Sequence, residues 1–89
     1  MQFAYPIKLT RDRRDGGYVV SCRDIPEAIT QGDTVKHAIA GAEGALQAAI
    51  EGRMEDGLDI PAPSQPKHGE RMVAAPITPL KVLTSYWWI

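Results

Sequence analysis

Hydrophobic positions along this 89-residue chain change period, and the changes mark its elements. Phe3, Tyr5, Ile7 and Leu9 alternate with Gln2, Ala4, Pro6, Lys8 and Thr10. A period of two predicts a half-buried strand whose first set faces a core. Pro6 has no N–H to donate, so one side of that strand is expected to be a free edge there. The alternation resumes in Tyr18-Val19-Val20-Ser21-Cys22. Tyr18, Val20 and Cys22 share one face, and Val19, Ser21 and Arg23 share the other. Between the two runs, Asp15-Gly16-Gly17 predicts a hairpin, because tight turns need positive φ. Asp24-Ile25-Pro26-Glu27 is a bend, with φ fixed at Pro26 and Ile25 held extended before it. Ala28-Ile29-Thr30-Gln31 then predicts a short third strand.

A helical period takes over from Thr30 to Arg53. Gly32 is expected to turn the chain at positive φ, and Asp33 or Thr34 to cap the helix. Ala38, Ile39, Ala42, Ala45, Leu46, Ala49 and Ile50 recur at steps of three and four and form one apolar stripe. Lys36, Ala40, Glu43, Gln47 and Glu51 fall on the other side. Gly41, Gly44 and Gly52 each cost roughly 1 kcal/mol relative to Ala, so this helix depends on a sheet to lie on. Gly57 can close its last turn. Residues 58–69 hold Pro61, Pro63 and Pro66 and no usable period, which predicts an extended, mobile connector. Glu70–Pro76 predicts a fourth strand.

The last segment is different in kind. Thr78 can cap a helix with Pro79 at its first position, and Leu80–Ile89 is apolar on nearly every side. Such a segment has to pack on its own domain, a second copy or a partner. Leu80, Leu83, Tyr86, Trp87 and Trp88 are therefore expected oligomer contacts. The predicted fold class is α+β: a small β-β-β-α-β domain over residues 1–77, helix on an antiparallel sheet, with an apolar segment over 78–89.

Composition narrows the function classes. One domain of this size has a modest core, here resting on Ile, Leu, Val and Ala, so marginal stability or a dimer or tetramer is expected. Net charge is −1 with the signs interspersed, so no global field invites nucleic acid or an anionic membrane. Arg11, Arg13 and Arg14, interrupted by Asp12 and Asp15, read as a solvated hairpin tip. A single cysteine, Cys22, excludes an intrachain disulfide and reads as a small buried strand residue, in keeping with a reducing cytoplasm. The first residues lack the pattern of a secretion signal, and no apolar run reaches the length of a membrane span.

Catalytic chemistry finds little support. His37 and His68 have no second ligand at metal-binding spacing, and neither a phosphate loop nor G-x-S-x-G is present, so no metal or cofactor is expected. Asp12, Asp15, Asp24 and Asp33 occupy turns, where Asp has ordinary backbone-bonding reasons to be. A two-metal nuclease would instead set its acids inside the strands, and no catalytic residue is assigned.

Tyr5-Pro6-Ile7, Asp15-Gly16-Gly17-Tyr18-Val19-Val20, Asp24-Ile25-Pro26, Thr30-Gln31-Gly32-Asp33-Thr34 and the helix through Ala38, Ala42, Ala45 and Leu46 resemble the N-terminal domain of HicB antitoxins. Met72-Val73-Ala74-Ala75-Pro76 resembles that domain's last strand, so the resemblance spans roughly residues 3 to 77. It implies a partial, degenerate RNase H-like fold that binds and sterically neutralises a HicA toxin, a small mRNA-degrading ribonuclease. Family members usually continue into a DNA-binding, dimerising segment. This chain stops at Ile89, where that segment would begin, and operator binding is not expected of it. It also has Glu27-Ala28 where the family commonly has Gly-Cys. Expected toxin contacts are Val19, Ser21, Arg23, Asp24 and Glu27 on the sheet and bend, with Glu43 and Glu51 on the helix. The alternative reading is a stand-alone homo-oligomeric interaction module without a toxin partner.

Overall fold

Each alternating run becomes a strand, and the helical stripe becomes one helix, in the computed structural model, which describes residues 3–77. The order is β1 (Phe3–Arg11), β2 (Tyr18–Ser21), β3 (Thr30–Gly32), α1 (Val35–Glu55) and β4 (Glu70–Ala75). The strands form one sheet in the order β3-β2-β1-β4, with every neighbouring pair antiparallel. This is the α+β arrangement expected. β3 is shorter than the predicted run and starts later, because Ala28 and Ile29 are used in a turn that bonds back to Ile25 and Glu27.

β1 is central but is not paired along its whole length on both sides. β4 pairs with Phe3–Lys8 and β2 with Lys8–Arg11. Pro6 thus stands opposite Met72 on one side and has no strand on the other, the free edge its missing N–H requires.

The core lies between the sheet and α1. Tyr5 and Ile7 of β1, Val20 of β2 and Val73 and Ala75 of β4 meet Ala38, Ala42, Leu46, Ile50 and Met54 of the helix. These helix positions step by four, a narrower seam than the predicted stripe. Ile39, Ala45 and Ala49 are only partly buried at its margin, while Met54, one turn past the predicted set, belongs to the core. A row stepping by four drifts around the helix, and the seam follows that drift as α1 crosses the twisted sheet.

Thr34 is the N-cap: its backbone is extended and its hydroxyl accepts from the His37 N–H at 3.1 Å. Gly57, at φ 69, closes the other end. In the β1–β2 hairpin Gly16 and Gly17 both have positive φ, and Asp12 donates its N–H to the Gly17 carbonyl at 2.9 Å. Asp12 Oδ1 accepts from the N–H groups of Arg14 and Asp15 and holds the tip in shape.

Gly32 departs from expectation. It does not have positive φ; it is glycine because a Cβ there would sit 2.4 Å from the backbone nitrogen of Ala38. A Cβ on Gly17 would lie 2.6 Å from the Gly32 carbonyl oxygen. The two glycines let hairpin, edge strand and helix start come together.

The connector departs too. It is extended, but it is strapped to the body rather than loose. Arg53 donates to the Asp59 carbonyl, Tyr5 Oη to the Pro61 carbonyl at 2.7 Å, and Arg23 to the Gln65 carbonyl. The proposed helix and oligomer contacts after Ile77 lie outside the described residues.

Candidate functional site

Two surfaces remain once the core is formed: the outer side of α1 and the face of the sheet turned away from it. Strand alternation decides which residues reach the second. Register sets Lys8 beside Ser21 on one side and Glu70 on the other, and Thr10 beside Val19, which in turn pairs with Gln31. Lys8, Ser21 and Glu70, with Arg23, Ile29 and Lys67, border a shallow groove on the open face.

The bend carries the strongest polar geometry. Arg23 Nε lies 3.0 Å from Glu70 Oε2, and its Nη2 donates to Glu70 Oε1 and to the Gln65 carbonyl. Glu70 also accepts from the Lys67 N–H at 2.7 Å. Arg23 and this N–H hold the Glu70 carboxyl below the usual carboxylate range, and Glu70 raises Arg23 in turn. Asp24 takes both the N–H and the hydroxyl of Ser64, at 2.8 and 2.7 Å, and these bonds lower its pKa. Glu27 is forked onto Arg53 near the end of α1, with Oε2 at 2.6 Å from Nε and Oε1 at 2.9 Å from Nη2. Arg53 lowers the Glu27 pKa, and Glu27 raises that of Arg53. Glu27 therefore ties the bend to the helix.

The seven expected contact residues do not form one patch. Val19 and Ser21 lie on the open face of the sheet. Arg23, Asp24 and Glu27 brace the bend and connector. Glu43 is exposed on α1, and Glu51, half-buried on the same helix, accepts from Gln47 at 3.3 Å. Helix and open face look in opposite directions, so no single flat partner surface reaches all seven. Sequence reasoning missed Ile29, Lys67 and Glu70 as neighbours of Ser21. Alternation places Lys8 on that face, but only the register reveals that Glu70 crosses to it.

Other chemistry is sparse. Cys22 is buried, and desolvation pushes its thiol pKa up, the opposite of what a nucleophile needs. Asp12, Asp15 and Asp33 border a small depression with Tyr18 and Gln31, but among the described residues no three acid, His or Cys side chains are grouped to hold a metal. Among the same residues no helix is long and apolar enough to cross a membrane.

Residues 4–83 match the family model described as the HicB-like antitoxin of bacterial toxin–antitoxin systems. Antitoxin HicB of Escherichia coli K12 is 42% identical over 74 residues, which cover 83% of this chain and 53% of that protein. Antitoxin HicB 2 of Photorhabdus laumondii is 43% identical over 72 residues, 81% of this chain and 49% of the relative. The chain spans about half the length of these curated relatives. The crystal structure of the N-terminal domain of Burkholderia pseudomallei antitoxin HicB superposes with a TM-score of 0.62 at 21% identity, covering 85% of this chain and 99% of that one. That likeness is one of fold.

Proposed function

The chain belongs to the HicB-like antitoxin family, and on that premise we propose that it is the toxin-binding part of an antitoxin. It binds a HicA-type toxin and covers the surface on which that toxin holds mRNA, without performing a reaction of its own. The contact runs along the outer side of α1, where Glu43 and Glu51 offer carboxylates to the basic groups an RNA-binding surface must carry. The observation that supports this side is the division of labour among the expected residues. Arg23, Asp24 and Glu27 have intramolecular partners to keep and Glu51 accepts from Gln47, whereas Glu43 stands exposed on α1. Catalysis is no part of this reading, since Cys22 is buried with its thiol pKa raised by desolvation and Asp24 is bonded to Ser64. The cytoplasm, where mRNA is degraded, is the compartment the mechanism calls for.

Co-expression with a HicA-type toxin tests it. Growth is expected to be restored and the two proteins to co-purify. Glu43→Lys with Glu51→Lys is expected to weaken the complex at least tenfold while leaving the fold intact. Neither rescue nor co-purification by the parent chain would sink the proposal, and an unaffected double variant would move the contact off α1.

A further inference from the structure

The groove on the open face of the sheet has unbalanced charge. Lys8 is the cross-strand neighbour of Glu70, yet that carboxylate turns to Arg23 and to the Lys67 N–H. Among the described residues neither the Lys8 nor the Lys67 ammonium comes within salt-bridge distance of a carboxylate, although the Lys67 charge acts on Glu70 from farther away. Three cations and one acid thus border the groove, and the acid is already engaged. Beside them stands Ile29, 66% exposed, the most exposed large apolar side chain among the described residues. Exposed Pro26 extends its apolar rim.

We propose that this groove docks an extended acidic segment of a partner protein, whose carboxylates meet Lys8 and Lys67 while one apolar side chain covers Ile29. The complementarity is of charge and of apolar area together. Nucleic acid fits less well: Ile29 offers no ring on which a base can stack. The groove faces away from the acidic side of α1, so its occupant is a different one from the basic toxin, and both can bind at once.

The test is a titration of the isotopically labelled full chain, followed by its amide resonances. The probes are a capped peptide of alternating Glu and Leu, the same peptide with Lys for Glu, and an oligouridylate. The acidic peptide is expected to cause saturable shifts at Lys8, Ser21, Ile29 and Lys67, and the other two probes none there. Lys8→Glu with Lys67→Glu is expected to weaken binding roughly tenfold with unchanged circular dichroism, and Ile29→Ser to weaken it less. Saturable shifts with oligouridylate would reassign the groove to nucleic acid. Concentration-dependent shifts at these amides without any probe would reassign it to a second copy. No response to the acidic peptide would overturn the proposal outright. The charge-reversed variant is also expected to retain growth rescue against the toxin. Lost rescue would make the groove a toxin contact and overturn the separate occupant, whereas a parent chain that never rescues bears only on the antitoxin reading.

Discussion

α1 and the connector that follows it lie against the same sheet, but opposite chemistries hold them there. The helix is held by Ala38, Ala42, Leu46, Ile50 and Met54, a seam without a polar atom beyond the backbone and one thioether. The connector is held by Tyr5 to Pro61, Asp24 to Ser64, Arg23 to Gln65, Glu70 to Lys67 and Arg53 to Asp59, with Ile60 as its partly buried apolar anchor. A proline-rich stretch presents few side chains that can be buried in a periodic way. It can still be ordered, because its carbonyls accept hydrogen bonds wherever donors are set along its path. The difference teaches where stability and adjustability reside. Apolar burial is nearly indifferent to salt and pH, while exposed ionic braces are weak and respond to both.

The largest expected effect lies in the seam. Leu46→Ala should cost about 2–4 kcal/mol by urea denaturation, and Leu46→Asp should leave little folded protein. Ile39→Asp should be clearly milder than Leu46→Asp, since Ile39 is at the margin; equal damage would widen the seam to the full stripe. Next comes Gly32→Ala, whose methyl collides with the helix backbone and should cost roughly 2–3 kcal/mol in thermal melts. In the connector, Asp24→Ala should cost about 1–2 kcal/mol and speed amide exchange at Ser64 and Gln65 more than within α1. Exchange rising uniformly instead would mean that connector and helix unfold as one unit. Glu27→Gln should cost at most about 1 kcal/mol, measured against the parent at low and high salt.

Acid should separate the two regions without any mutation. Asp24, Glu27 and Glu70 are held below the usual carboxylate range, by bonds from Ser64, Arg53 and Arg23 respectively. A carboxylate with a depressed folded pKa contributes stability above its unfolded value, about 3.9 for Asp and 4.3 for Glu, and loses it as pH falls through the folded value. Amide exchange in the connector should therefore rise, relative to α1, only below about pH 4. Arg23 and Arg53 are raised and stay charged throughout, so they add nothing to this window. A connector indifferent to acid would show that Ile60 and the prolines alone hold it.

Most of the architecture was legible from periods and turns. The four strands, the Asp-Gly-Gly hairpin, the Thr34 cap and the Gly57 stop all follow from local rules, because each depends on residues a few positions apart. The free edge at Pro6 was legible for the same reason, since a missing donor is visible in one residue. Gly32 was misread: its conformation is ordinary, and what excludes a side chain is Ala38 across the turn. For Arg23, Asp24 and Glu27, expected as partner contacts, the illegible part was the bonding each makes within the chain. Their bonding partners lie 47, 40 and 26 residues away, at Glu70, Ser64 and Arg53.

By itself the sequence determined which segments are strand and which is helix, and which side of each seeks the core. Periodicity carries that information, since backbone geometry turns spacing directly into a face. Only the tertiary structure decided how the free charges are shared out. Register brings Glu70 to Lys8 and the bend brings Arg23 to Glu70, so the acid is taken by the arginine and the lysine is left exposed. Coulomb attraction acts between side chains that are near in space, whatever their separation along the chain.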